Sequence, residues 1–211
     1  MRDDSGDGGI SHTHEYIISV ENLLLAWSEF VAGKRGKQDV QEFQLHFMDN
    51  ILELHAELVA GTYQHGPYHA FKISDPKPRD IHKASVRDRL VHHALYRCLY
   101  QVFDRTWIAD SYSCRYEKGT HRAINRFQKF AMQVSKNNTR TCWILKCDIR
   151  KFFASIDHAI LIAVVEKHIQ DERTVVVLRN IIESFTSTGP GKGLPLGNLT
   201  SQLLVNAYMN E

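Results

Sequence analysis

Apolar residues recur at intervals of three and four along most of this chain, which is the spacing of one face of an α-helix. Gly61 ends one such pattern, and Gly119 with Thr120 forms a turn and cap before another. Helices are therefore predicted at residues 16–32, 40–60, 86–103, 120–135, 158–169, 174–185 and 199–211.

Two segments carry strand patterns instead. Residues 142–149 form an apolar, aromatic and β-branched run that begins after Asn137 and Asn138 and ends at a charged turn. A shorter extended piece, residues 69–73, lies in a stretch rich in proline and glycine and leads into a loop that ends at Arg79. The longer run is the strongest strand prediction in the chain.

Length and composition limit the classes of protein to which this chain is expected to belong. The chain has 211 residues, enough for one domain or two small lobes, and it holds no apolar run long enough to span a membrane. Residues 1–13 are acidic and rich in glycine, unlike a signal peptide, and are predicted to be a disordered leader. We therefore expect a cytoplasmic protein that makes no membrane contact.

The four cysteines, which contain no Cys-x-x-Cys pair, are expected to be reduced and mostly buried. Twelve histidines raise the possibility of a zinc site. His92 and His93 are adjacent and cannot share a helix face, and no cysteine stands at a ligand interval from them. The spacing does not favour zinc.

Charge is distributed unevenly. Residues 63–151 hold 18 Lys and Arg against 7 Asp and Glu, a balance of +11, whereas the whole chain has a net charge of +2. Aromatic residues are interleaved with these cations, as a surface that follows a phosphate backbone requires. A solvated helical surface would give the same charge balance, so both interpretations stay open on charge alone.

Asp148 stands at the end of the predicted strand 142–149, and Asp157 precedes the next predicted helix. A carboxylate at the end of a strand is well placed to bind a metal ion. Asp157 is more simply interpreted as a helix N-cap. The glycine-rich turn at 191–198 allows close approach of a ligand, but Lys192 is followed by Gly193, so it matches no P-loop.

Four motifs together resemble the reverse transcriptases. KCDIRKFFASIDH at 146–158 and GLPLGNLTSQLLVNAY at 193–208 are similar to the first palm motif of the family and to the glycine-turn-helix motif that follows it. PKPRDIHKASVRDRLVHHAL at 76–95 and DSYSCRYEKGTHRAI at 110–124 are similar to its two fingers motifs. Their order along the chain is also that of the family.

The resemblance implies functional roles for individual residues. Asp148 and the backbone of Ile149 would bind catalytic Mg²⁺, and Phe153 would be the steric gate beneath the sugar of the incoming nucleotide. The remaining roles are nucleotide binding by Lys77, Arg79, Lys151, Leu196 and Gly197, and nucleic-acid binding by Arg87, Arg89, Arg115, Lys118 and Arg122.

Two departures from the family pattern change what is expected. Leu196 stands where most of the family has glutamine, and Gln202 where it has proline. This variant looks like the enzymes of diversity-generating retroelements and related bacterial groups, and leucine cannot hydrogen-bond a nucleotide. The paired aspartates of the family do not follow Asp148, since the chain's one Asp-Asp pair is Asp3-Asp4.

The resemblance therefore implies an α+β fold: the fingers and partial palm of a right-hand polymerase, mostly helical with a small antiparallel sheet. The expected regions are a leader at 1–13, an N-terminal helical region at 14–62, fingers at 63–145 and the start of the palm at 146–211. The implied partners are an RNA template, a DNA primer, a deoxynucleoside triphosphate and an accessory retroelement protein.

The implied activity is RNA-directed DNA synthesis, with this chain alone expected to be inactive because it lacks the second carboxylate group. The final helix is expected to expose Leu203, Leu204, Ala207 and Tyr208 for want of palm strands. Two alternatives stay open: a non-catalytic nucleic-acid-binding module and a helical interaction protein.

Overall fold

A computed structural model describes residues 13–74 and 77–211. The predicted leader lies outside the described residues, apart from Thr13. The elements, in chain order, are α1 His14–Ile17, α2 Val20–Phe30, α3 Gln38–Leu45, α4 Phe47–Ala60, β1 His69–Ile73, β2 Arg79–Lys83, α5 Val86–Asp104, α6 Thr120–Val134, α7 Phe152–Ser155, α8 His158–His168, α9 Glu172–Glu183 and α10 Leu199–Asn210.

The helical predictions are confirmed in position, but the first two are each divided. Ser19 separates α1 from α2 because its hydroxyl accepts a hydrogen bond from the Asn22 backbone N–H at 3.1 Å and so starts a new helix. His46 separates α3 from α4, with φ −119° and ψ 41° outside the helical region. Gly61 ends α4 with φ +68°, as its position in the sequence predicts.

Helix α5 forms the centre of the hydrophobic core. Its apolar face is buried along its length, including Leu90, Leu95 and Phe103, and it packs against α2 on one side and α10 on the other. The Asn22 side chain joins two of these elements by donating hydrogen bonds to the carbonyls of Ile17, at 2.8 Å, and Ala94, at 3.2 Å. The core therefore depends on one long helix with partners on both sides.

A buried carboxylate fixes the segment before the hairpin to the start of α5. Asp88 is 1% exposed and accepts hydrogen bonds from the Tyr63 hydroxyl at 2.9 Å and the Ser85 hydroxyl at 2.7 Å. It also accepts from the Gly66 backbone N–H at 3.1 Å and from Arg87 at 3.1 Å. Four donors satisfy this buried charge, which would otherwise be costly.

Strands β1 and β2 form the sheet that the structure shows in its described part. They pair antiparallel, with Phe71 opposite Ile81 and Ile73 opposite Arg79. β1 matches its predicted bounds, whereas β2 was missed because its sequence, RDIHK, holds a single apolar residue. The hairpin is largely exposed.

The predicted strand at 142–149 was wrong. The segment is irregular, and Trp143 is 94% and Leu145 88% exposed. A strand requires a neighbour for its backbone N–H and C=O groups, and no neighbouring strand lies beside this segment within the described ranges. An apolar run alone therefore did not produce a strand.

The exposure predicted for the final helix was also wrong. Leu203, Leu204 and Ala207 are buried and Tyr208 is half-buried, because α10 packs against α5 and α8. The unpartnered apolar surface lies on α6, which buries none of its residues and exposes Ile124, Phe127, Phe130 and Val134.

The cysteines are free thiols, as expected, but they are not mostly buried. Cys98 alone is fully buried, and burial raises the pKa of its thiol to about 11. Cys114 and Cys147 are exposed and Cys142 is half-buried. No helix in the described part of the chain is long and apolar enough to cross a membrane.

Two neighbouring histidines predict a loss of stability in acid. Burial lowers the pKa of His92 to about 3 and that of His93 to about 4. The unfolded chain binds these protons near pH 6.5 and the folded chain does not, so the free energy of unfolding should fall as pH drops from about 6.5 towards 4. Urea titrations across this range measure it.

His92→Leu should make this pH dependence shallower, leaving the part due to His93. It should also lower stability at pH 7, because His92 contacts Thr200 and His65 through its two ring nitrogens, each at 3.2 Å. Replacing the exposed His121 with glutamine is the matched control and should preserve the wild-type profile. A flat profile in the wild-type protein would contradict the prediction.

Candidate functional site

A cleft of about 510 Å³ opens between β2, α7 and the turn that leads to α10. It brings together four of the predicted nucleotide-site residues: Arg79, Lys151, Phe153 and Leu196. The other residues that line it are Pro78, Asp80, His82, Phe152, Ala154, Phe185, Ser187, Thr188 and Leu194.

One wall of the cleft is the short helix α7, which sequence patterns did not predict. Lys151 precedes it in the left-handed conformation, with φ +52° and ψ +38°, and this turn redirects the chain after the segment that carries Asp148. Phe153 follows within the first turn of α7 and is half-buried. Its backbone carbonyl accepts a hydrogen bond from the Leu194 N–H at 2.8 Å.

The opposite wall is β2, held against the turn before α10. The His82 backbone N–H donates to the Leu196 carbonyl at 3.1 Å, and the Asn198 side chain donates to the His82 carbonyl at 3.2 Å. Between them Gly197 has φ +105°, and a Cβ there would lie 3.0 Å from a methyl carbon of Ile81. Only glycine fits this approach without a shift.

Arg79 and Lys151 are the Arg and Lys residues that line this cleft. Arg79 and Lys151 form no ion pair with any residue that the structure describes, and Asp80 is the one acidic residue lining the cleft. A cation without a carboxylate partner remains available for an anionic ligand. The cleft therefore favours a negatively charged ligand such as a phosphate group.

Asp148 and Ile149 are both exposed and do not line the cleft, although they lie just before Lys151 in the chain. No group of three or more His, Cys, Asp or Glu residues in the described ranges could hold a metal ion. Asp157 caps α8, as predicted: its carboxylate accepts from the backbone N–H groups of Ala159, at 3.0 Å, and Ile160, at 3.2 Å.

Two further predicted nucleotide-site residues lie outside this cleft. Lys77 is exposed and follows two residues that are not described. Gly197 lines a neighbouring cleft of about 370 Å³ together with Lys34, Arg89 and Gln202. The two clefts are separated by β2 and the turn at Leu196, and residues from this turn line both.

The residues predicted to bind nucleic acid differ in whether a carboxylate of the fold already pairs with them. Arg87 pairs with Glu57 and Asp88, and Arg89 pairs with Asp39. The side chain of Arg115 is 6% exposed and pairs with Asp104 at 2.7 Å. These three arginines have structural partners within the fold.

The other two of that set form no ion pair within the described part of the chain. Lys118 donates to the Ala109 carbonyl at 2.7 Å and lies 5.2 Å from the Tyr112 ring centroid. Arg122 is exposed on α6 and forms no ion pair with another described residue. Charge counts along the sequence could not separate these two situations.

Sequence reasoning missed His82, Phe185 and Thr188 as residues of the cleft. His82 lies edge-on to Phe185, with ring centroids 4.6 Å apart, and Thr188 donates to the Ala154 carbonyl at 2.9 Å. The proline- and glycine-rich stretch around Thr188 was a weak signal for a loop near a ligand. Nothing in the sequence pattern pointed to His82 or Phe185.

Known proteins share both sequence and fold with this chain. YkfC of Escherichia coli is 28% identical over 75% of this chain and 43% of its own length. The group II intron-encoded protein LtrA of Lactococcus lactis subsp. cremoris is 22% identical over 93% of this chain and 32% of its own. The chain thus spans less than half the length of these relatives.

A solved structure described as a partial Cas6-RT-Cas1–Cas2 complex has the same fold over 93% of this chain and 34% of its own chain, with a TM-score of 0.62 and 20% identity. The family model described as reverse transcriptase (RNA-dependent DNA polymerase) matches residues 72–211. That range includes both walls of the cleft and all four motifs. The chain belongs to the reverse transcriptase family.

Proposed function

We propose that the whole protein carries out template-directed, Mg²⁺-dependent transfer of deoxynucleotides and that this chain supplies its nucleotide cleft. The observation that carries the proposal is the pair of unpartnered cations, Arg79 and Lys151, beside Phe153 in one cleft. Nucleotidyl transfer needs cations for the leaving diphosphate and a fixed position for the sugar. The cleft offers both.

Each cleft residue has a separate role in this proposal. Arg79 and Lys151 hold the triphosphate, with Lys77 approaching from the end of the hairpin. The ring of Phe153 lies beneath the sugar and collides with a ribose 2′-hydroxyl. Leu196 contacts the nucleotide without hydrogen-bonding it, which lowers the selectivity of the site for a matched base.

Asp148 and the Ile149 carbonyl fit Mg²⁺ in kind, because this ion prefers oxygen ligands. When bound, the metal supplies charge stabilisation for the attacking and leaving oxygens. One carboxylate and one carbonyl do not complete a two-metal site. We therefore propose that the chain by itself is inactive and that further carboxylates come from outside the described residues.

The nucleic-acid partners are an RNA template and a DNA primer, and the surface proposed for them is the basic stretch at 63–151. Among the residues predicted to bind nucleic acid, Arg122 is exposed and Lys118 is half-buried, and neither forms an ion pair with another described residue. An accessory protein is a further proposed partner, supported by the neighbour whose description includes Cas6, Cas1 and Cas2. The proposed location is the cytoplasm.

A non-catalytic nucleic-acid-binding module is the second candidate function. The observation in its favour is that Asp148 stands apart from any group of metal-ligating side chains in the described ranges. The two candidates make opposite predictions for loss of the Asp148 carboxylate. A binding module would not need it.

Asp148→Asn in the whole protein should abolish primer extension and leave nucleic-acid binding nearly unchanged. A neutral amide cannot organise divalent cations, so the barrier should rise by several kcal/mol, on the order of 10³-fold in rate or more. The matched control is Asp157→Asn, which retains a good helix cap and should extend the primer nearly as well as wild type. Equal extension by the Asp148 variant would refute the catalytic assignment.

Arg79→Gln and Lys151→Gln should each weaken the binding of a deoxynucleoside triphosphate about tenfold or more, because each removes a charge-assisted hydrogen bond to phosphate. Titration of the 211-residue chain, followed by NMR or calorimetry, measures the change. Arg173→Gln is the control, since Arg173 pairs with Asp171 and Glu15 away from the cleft. Unchanged binding in both cleft variants would contradict the triphosphate assignment.

Binding of nucleic acid should weaken steeply with salt, with a slope of log affinity against log salt of about −0.9 per phosphate contacted on duplex DNA and about −0.7 on single strands. Arg122→Gln should make this slope shallower by about one contact. Arg115→Gln should lower the melting temperature instead, because Arg115 is buried against Asp104. A flat salt response by fluorescence anisotropy would count against both candidate functions.

A further inference from the structure

A distant part of the chain supplies hydrogen-bond donors to helix α7 and to Ile156, the residue that follows it. It has four residues, too few to satisfy its own backbone carbonyls. The carbonyl of Phe153 accepts from the Leu194 N–H at 2.8 Å, that of Ile156 accepts from the Gly193 N–H at 2.8 Å, and that of Ala154 accepts from the Thr188 hydroxyl at 2.9 Å. The turn at 187–194 therefore fixes α7.

A buried histidine holds this turn in place. His158, 4% exposed, begins α8, and its ring Nε2 lies 2.7 Å from the Gly193 carbonyl. Because a carbonyl oxygen can only accept, Nε2 carries the hydrogen and donates it. The His158 backbone N–H also donates to the Gly191 carbonyl, at 2.9 Å. One residue thus contacts the turn at two points.

The turn has little freedom to adjust. Gly193 has φ +112°, and a Cβ at this position would lie 2.6 Å from the Cβ of Ser187. Backbone pairing of the Ser187 N–H with the Lys192 carbonyl, at 2.8 Å, closes the turn on itself. A displacement of Gly193 is therefore passed to its neighbour Leu194, and through these two residues to the Ile156 and Phe153 carbonyls that they bond.

We infer that His158 is a positioning residue for sugar selection: through Gly193 and Leu194 it fixes Phe153 beneath the incoming nucleotide and so sets how strongly the cleft rejects a ribose 2′-hydroxyl. This inference rests on the proposed nucleotide site. His158 does not line the cleft, so its effect on the sugar would be indirect.

Steric rejection of one hydroxyl depends on where the ring stands. A misplacement of about 1 Å can change the energetics of a reacting complex by up to about 10²-fold. Loss of the His158 donor leaves the Gly193 carbonyl buried without this partner, which favours movement of the turn. The ring of Phe153 then gives way to the 2′-hydroxyl more easily, while the triphosphate contacts of Arg79 and Lys151 stay in place.

The test compares dATP and ATP binding to the 211-residue chain in the presence of Mg²⁺, by NMR titration. Wild type should bind dATP more tightly than ATP, and His158→Leu should reduce that ratio about tenfold, mainly by binding ATP better. His158→Gln, which restores an N–H donor, should recover most of the ratio. Amide hydrogen exchange of Gly193 and Leu194 should accelerate in the leucine variant alone.

Thr188→Val is a milder change in the same set of contacts between the turn and α7. It removes one hydrogen bond to Ala154 without altering side-chain volume, and it should also reduce the preference for dATP over ATP. His14→Leu is the matched control: His14 is also buried and hydrogen-bonded, to Thr174 at 3.1 Å, and it does not line the cleft. It should leave the ratio unchanged.

The outcomes distinguish failure of the proposed nucleotide site from failure of the positioning role of His158. If the wild-type chain binds neither nucleotide, the proposed nucleotide site fails and the inference falls with it. If wild type selects dATP and both His158→Leu and Thr188→Val select it equally well, the positioning role is refuted while the nucleotide site stands. Should the leucine variant not fold, the Thr188→Val ratio alone decides.

Discussion

The packing of α10 against α5 is the contact from which the candidate site follows. Leu203 and Leu204 are both 1% exposed, and they fix the axis of α10 on the central helix. The turn that begins α10 is fixed as a consequence, and that turn carries the Leu196 carbonyl and the Asn198 side chain that bind β2. A hairpin with few buried residues gains a defined position because the helix behind it is buried.

The same contact explains why the apolar residues of α10 are covered although palm strands were expected to cover them. A stripe of apolar residues indicates that a helix packs against another element, but it does not identify that element. Here α5 presents apolar side chains on more than one face, so it packs with α2 and α10 together. Helix positions were predictable from periodicity, whereas the pairing of helices depended on residues far apart in the chain.

The strands show more clearly that a local sequence pattern does not by itself determine secondary structure. β2 has one apolar residue in five and is a strand because β1 and the turn at Leu196 supply its hydrogen-bond partners. Residues 142–149 have the composition of a strand and no such partner within the described part of the chain. Strand formation is set by pairing more than by intrinsic preference, so sequence reasoning failed in both directions.

Whether a cation of the candidate site is available to a ligand also depends on its partners in the folded chain. Arg79 and Arg115 look alike in the sequence, since both belong to motifs of one family and both lie in the basic stretch. Arg115 is held by Asp104 and by the carbonyl of Ile108 at 2.8 Å, whereas Arg79 has no carboxylate partner in the described ranges. The motifs located the cleft, but only the three-dimensional partners separate a structural cation from an available one.

The proposed role of Asp148 also depends on neighbouring residues that hold its side chain in place. Catalytic carboxylates have to be held to within about 0.5 Å, and that requires rigid elements around them. Asp148 lies in an irregular segment between the exposed Leu145 and the left-handed Lys151, where the described residues supply no strand partner. The candidate cleft is already formed by buried contacts of this chain, whereas the position of the Asp148 carboxylate, which we propose binds a metal ion, is not fixed by them. A strand that paired with 142–149 would bury its apolar side chains and orient Asp148 at the same time, so folding of that segment and assembly of the proposed metal site would be one event.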